Sequence, residues 1–116
     1  MIQLKRVYDP VAPSDGHRFL VDRLWPRGVR KEELHLQGWA KELAPSDLLR
    51  RRYHAGRISW EQFQQEYVGE LEADPAAWAS YVQLARHATV TLLIAARDAQ
   101  QNHGMVLRDF LVKQLI

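Results

Sequence analysis

A small, largely parallel α/β sheet with helices packed on it is the fold the sequence predicts, on three observations. The segment Thr89–Ala96 is β-branched at first and then continuously apolar, as a strand covered on both faces should be. It runs at once into a tight turn and an amphipathic helix. Two earlier strand-like segments precede it, and helical stripes lie between the second and the third. That is the crossover a parallel pairing requires.

Each element has its own signal. Ile2–Tyr8 alternates apolar and polar residues and reads as a strand with one exposed face. Asp9–Gly16 holds two prolines and a glycine and reads as a loop. It is short for a parallel crossover, so the direction of the first strand stays open. Phe19–Leu24 reads as a second strand, apolar on both faces at its start, which Trp25-Pro26-Arg27-Gly28 ends in a sharp turn. Leu36, Trp39, Ala40 and Leu43 recur at helical spacing until Ala44-Pro45-Ser46 breaks the pattern. Ser46 then caps a short helix reaching Arg52 or Tyr53, and Ser59-Trp60-Glu61-Gln62 is a capping box ahead of a stripe of Trp60, Phe63, Tyr67 and Leu71. Asp74-Pro75 reads as a cap and a first-turn proline for a helix bearing Trp78, Val82 and Ala85, with His87 at its end. After the last strand, Asp98 is expected to cap a helix whose core face carries Val106, Leu107, Phe110, Leu111 and Leu115.

At 116 residues the chain suits a single domain over 1–116, since two halves would each be too small to bury a core. Cysteine is absent, which removes disulfides, thiolate ligands and thiol nucleophiles together and suits a reducing compartment. The opening residues lack the apolar core of a signal peptide, and no run approaches a membrane span, so a cytoplasmic protein without membrane association is expected. The five histidines have no close spacing of the kind zinc sites favour, so no metal site is expected. No Walker loop, GxGxxG or GxSxG is present, and no cofactor is expected. Net charge is only +2 but uneven: residues 1–58 carry 12 Lys/Arg against 7 Asp/Glu, and 59–116 carry 4 against 7. This permits an anionic partner near the first half, although a solvated surface explains it equally well.

In an open α/β sheet, ligands gather where strands end and helices begin. Two such ends are unusually polar here. Asp22 and Arg23 alternate to opposite faces, so each needs a partner, and a structural ion pair competes with a functional role. Asn102 and His103 fall near the positive end of the last helix, which attracts anions. A histidine on an apolar face is commonly a satisfied core residue, yet His103 is the best acid/base candidate in the chain. The expected site therefore has His103, Asp22 and Asp98 as catalytic candidates, with Arg23, Arg27, Lys41 and Asn102 as ligand-binding candidates.

These residues also carry a resemblance. Lys5–Tyr8, the stretch Asp15–Gly28 with its Leu-Val-Asp-Arg-Leu-Trp-Pro-Arg-Gly sequence, and Trp39–Ser46 resemble the YeaO-like family, small bacterial proteins grouped under domain of unknown function 488. Trp60, Phe63, Tyr67, Glu70 and Leu71 match as well, as do Val90–Asp98, Asn102, His103, Val106 and Leu107, so the likeness covers nearly the whole chain. It implies a short α/β protein and brings no established reaction. In the broader grouping, relatives often have Cys-His-Arg where this chain reads Asn102-His103-Gly104, which implies that any thiol chemistry is absent here. Ile94 stands where a tyrosine is usual in the closer family. Small relatives often pair, so a homo-oligomer belongs among the expectations.

The leading expectation is a pocket at the strand carboxyl ends that binds, or binds and processes, a small anionic ligand such as a nucleotide or phosphate ester. The alternative is a nucleic-acid or protein interaction module using the basic first half and Arg50-Arg51-Arg52. A third is a charged cluster that only orders the fold.

Overall fold

The computed structural model describes residues 1–116. Strands β1 (Ile2–Arg6), β2 (His17–Leu20), β3 (Gly38–Trp39) and β4 (Val90–Ile94) form one sheet in the order β1-β4-β2-β3. Every neighbouring pair is parallel. The helices are α1 (Lys31–Leu34), α2 (Asp47–His54), α3 (Trp60–Ala73), α4 (Pro75–Ala85) and α5 (His103–Gln114). All five residues of β4 are buried, because β4 is flanked by β1 and β2 and covered above and below. No helix is long and apolar enough to cross a membrane.

The direction left open for β1 is parallel: Ile2 pairs with Val90, and Arg6 with Ile94. The connection from Val7 to Gly16 carries the chain back beneath the sheet, past the position that β4 fills. Ten residues extend to about 33 Å, enough for that return without a helix. Polar groups hold the segment against the sheet. The Asp15 carboxylate accepts from Lys5 Nζ at 2.8 Å, from the Ala12 amide at 3.0 Å and from Arg18 Nη1, while Thr91 Oγ1 donates to Asp15 O at 2.6 Å. Gly16 passes so close to β4 that a Cβ would lie 2.4 Å from Thr89 O, and its φ is +61°, so glycine is required there.

Alternation along the strands sorts the core into two layers. Ile2, Phe19, Val21, Val90, Leu92 and Ile94 face the larger layer, which α3, α4 and α5 fill with residues such as Phe63, Tyr67, Val82, Leu107 and Leu111. Val7, Leu20, Leu34 and Leu93 form the smaller layer on the opposite face, with Trp25 and Trp39 packed at its edge. The expected helical stripes of α3, α4 and α5 all serve the larger layer.

Four expectations need correction. The second strand covers His17–Leu20 rather than Phe19–Leu24. Val21 N still reaches Leu93 O at 3.0 Å, but the Asp22 carboxylate then takes the Ala95 amide at 2.9 Å and turns the chain out of the ladder. The Leu36–Leu43 segment is not a helix. Helix α1 ends upstream of it at Leu34, and the segment forms the two-residue edge strand β3 and a single 3-10 turn at Lys41–Leu43, because β2 offers its free edge to Gly38 and Trp39. Its apolar spacing is equally served by burying Ala40 and Leu43 on one side and packing Leu36 and Trp39 on the other. Asp74 occupies the cap position of α4 but makes no side-chain cap bond. Finally, Asp98 does not cap α5: Asn102 does, its Oδ1 accepting from Met105 N at 2.9 Å. Asp98 instead accepts from the Gln100 and Gln101 amides at 2.8 and 3.0 Å, closing a turn ahead of the helix. The Ser46 and Ser59 caps are in place, accepting from Leu49 N and Gln62 N.

Candidate functional site

The carboxyl ends of β2 and β4 are joined by one side chain. Asp22 Oδ2 accepts from Ala95 N, so the two chain segments leaving the sheet are held side by side. Asn102 is buried at the same end, and its Nδ2 donates to Asp98 O at 2.7 Å while its Oδ1 caps α5. This fixes the first residue of α5, His103, over the end of β2. Gly104 follows, pressed on the sheet so closely that a Cβ would lie 2.7 Å from Leu4 Cδ1 and 2.9 Å from Ile94 Cγ2.

His103 Nε2 stands 3.0 Å from Val21 O and 3.2 Å from Asp22 Oδ1. Val21 O only accepts, so Nε2 carries the proton and donates to it, while Asp22 Oδ1 is buried without a hydrogen-bond partner of its own. In the neutral ring that leaves Nδ1 as an acceptor with no hydrogen bond inside the chain. The Tyr67 ring lies edge-on to the imidazole at 6.3 Å between centroids. The Tyr67 hydroxyl donates to Leu43 O, and complete burial, reinforced by Glu70 and Asp22, pushes it well above the ordinary phenol range. It is a donor held in the core, with no route to acting as a base.

Beside this pair is a cavity of about 260 Å³. Asp22, Arg23, Asn102 and His103 line it together, so four of the seven expected residues meet at one place. Arg23 is tied by a single bond, Nε donating to Pro45 O at 3.0 Å, which orients the guanidinium and leaves both terminal nitrogens without a protein partner. The other three do not line the cavity. Arg27 is exposed in the turn after Pro26. Lys41 is exposed with its ammonium 3.9 Å from the centre of the Trp39 ring. Asp98 is exposed, and the two amides it accepts hold its carboxyl below the usual carboxylate range.

The cavity has walls that sequence reasoning did not assign to it. Tyr53 of α2 and Trp60 and Phe63 of α3 form one side, and Arg50 lies among them. Trp60 and Phe63 were legible as a core stripe, but periodicity cannot tell which turn of a stripe reaches the sheet and which opens on a cavity. Arg50 was legible only as part of a basic run. The three arginines of that run each have a carboxylate: Arg50 and Arg51 reach Asp47 at 2.7 and 2.8 Å, and Arg52 reaches Glu66 at 2.6 Å. The Arg50 Nε is buried without a partner.

Comparison with known proteins assigns the chain to a family. The family model described as "Inactive DUF488-N3 subclade" matches residues 1–116. The chain is 44% identical over 110 residues to the Escherichia coli protein named "Uncharacterized protein YeaO", covering 95% of this chain and 96% of that one. It is 38% identical over 110 residues to a Mycobacterium tuberculosis protein named "Uncharacterized protein Rv3073c", covering 95% of this chain and 92% of the relative. No solved structure matches.

Proposed function

Since the chain belongs to the YeaO-like DUF488 family, we propose from its own geometry that the cavity at the strand carboxyl ends is a binding pocket for a small anionic ligand. One observation carries this reading. Arg23 lines the cavity, its Nε is held to Pro45 O, and its two terminal nitrogens have no hydrogen-bond partner in the chain. An oriented, unpaired guanidinium in a recess offers a carboxylate or phosphate two parallel charge-assisted hydrogen bonds. His103 supports the site from the α5 end: Nε2 is spent on Val21 O, and Nδ1 remains for a donor on the ligand. The subclade's description as inactive favours binding over turnover. Asp22 fits that role, because its Oδ2 is engaged with the Ala95 amide and its Oδ1 lies 3.2 Å from the His103 ring, a charge beside the imidazole that favours its present orientation.

Thermal denaturation against phosphate, sulfate, phosphate esters and nucleotides tests the proposal, using wild type, Arg23→Gln and His103→Ala. A ligand at one hundred times its dissociation constant stabilises the folded state by about 2.7 kcal/mol. For a chain of this length that is a rise of roughly 10 °C in Tm. Wild type should show such a rise with at least one anion and Arg23→Gln should not. An equal rise in both, or none in wild type, removes the proposal.

A further inference from the structure

We infer that the ligand carries an aromatic ring as well as its anionic group, so that nucleotides, rather than simple phosphate esters, are its class. The inference rests on the cavity being an anion-binding pocket and concerns the aromatic residues that line it. Three rings from two helices build that lining. Trp60 and Phe63 stack at 5.4 Å between centroids and 16° between planes, and Tyr53 lies 4.8 Å from Phe63 at 33°. The cap of α3, where Ser59 accepts from Gln62 N, fixes the turn that presents Trp60. Tyr53 is carried on the last turn of α2, whose own start is fastened twice: Ser46 accepts from Leu49 N, and Glu70 of α3 accepts from Ser46 N and Oγ at 2.8 and 2.6 Å. The rings therefore hold one another in place on two helices that are tied together.

Tyr53 and Trp60 remain only partly buried despite this packing, and what they face is the cavity. An inorganic or aliphatic phosphate would engage the Arg23 end and leave the aromatic wall against water. A flat ring would cover it, and a rigid aromatic face binds such a ring at little cost in side-chain freedom. The unpaired His103 Nδ1 supplies an acceptor for a ring N–H or amino group, which a simple phosphate ester lacks.

The test compares AMP, GMP, CMP and UMP with ribose 5-phosphate and inorganic phosphate, by calorimetry and by tryptophan fluorescence. Ribose 5-phosphate carries the sugar and the anion but no ring. At least one nucleoside monophosphate should bind about tenfold tighter than ribose 5-phosphate, the advantage expected of one base on an aromatic face. Trp60→Leu should erase that advantage, so that no nucleoside monophosphate binds tighter than ribose 5-phosphate does to the same variant. Trp60→Phe should keep most of the advantage while losing the fluorescence response, which separates loss of stacking from loss of fold. If nucleotides and ribose 5-phosphate bind equally well in an Arg23-dependent manner, the ring is not recognised, though the anion pocket stands. If no anion binds wild type, both readings fall.

Discussion

Asp15→Asn is the substitution whose cost follows most directly from the structure. The Asp15 carboxylate is 2% exposed and the Arg18 side chain 4%, and the two are in direct contact beneath the sheet. Lys5 Nζ donates to the same carboxylate at 2.8 Å, and the Ala12 amide donates to it at 3.0 Å. Asparagine keeps the size of the side chain but removes the negative charge and one acceptor. Arg18 is left almost fully buried without its counter-ion; it already has one terminal nitrogen, Nη2, without a partner. Breaking a buried pair in this way costs about 3–5 kcal/mol, a large share of a total stability of roughly 5–15 kcal/mol. At roughly 4 °C per kcal/mol for a chain of this length, Tm should fall by about 12–20 °C. The pH dependence follows from the same contacts. Burial by itself would raise the Asp15 carboxyl, but hydrogen bonds from Lys5, the Ala12 amide and Arg18 outweigh it and hold the group below its ordinary value of 3.8. A depressed folded-state pKa contributes stability in full above the unfolded value and loses it as pH falls through the folded one. Urea denaturation of both proteins at pH 7 and in steps below about pH 3.8 measures the difference. The deficit of Asp15→Asn should be constant above that value and shrink below it. A deficit under about 1 kcal/mol at pH 7, the range of an exposed pair, would refute the reasoning, and so would one that does not change with acid.

Four other substitutions follow from local contacts. Asn102→Ala should cost about 1–2 kcal/mol in urea denaturation, because it removes the α5 cap and the bond to Asp98 O; Asp98→Ala should cost less, its carboxylate serving only an exposed turn. Gly104→Ala should cost about 1–3 kcal/mol, as the added methyl drives Leu4 and Ile94 apart, and hydrogen exchange should show the first turn of α5 loosened. Tyr67→Phe leaves Leu43 O buried without its donor, so a loss of about 1–3 kcal/mol is expected with no change in the far-ultraviolet circular dichroism spectrum.

Elements whose signal is local were legible in the chain. The β4 run, the Ser46 and Ser59 caps and the core faces of α3, α4 and α5 each depend on residues within a few positions of one another, where periodicity and capping act. The misread elements depend on distant partners. Leu36–Leu43 has helical spacing, yet the free edge of β2 draws Gly38 and Trp39 into the sheet. Asp98 and Asn102 are both competent caps, and the choice falls to Asn102 because Gly104 must lie flat on Leu4 and Ile94. The site divides along the same line. Asp22, Arg23, Asn102 and His103 stood out as polar residues at strand and helix ends, whereas Trp60 read as part of a core stripe and Tyr53 only as the end of a short helix.

The sequence by itself determined the α/β class, the central strand and the polar residues at its carboxyl end, since burial pattern and element order are properties of short segments. Only the tertiary structure decided that β1 runs parallel, that β4 lies between β1 and β2, and that Arg27, Lys41 and Asp98 are separated from Arg23 and His103. Those outcomes turn on contacts between residues as far apart as Asp22 and Ala95 or Asp15 and Thr91. Such contacts form when buried polar groups must find partners across the sheet, and no local pattern of residues encodes which partner each will find.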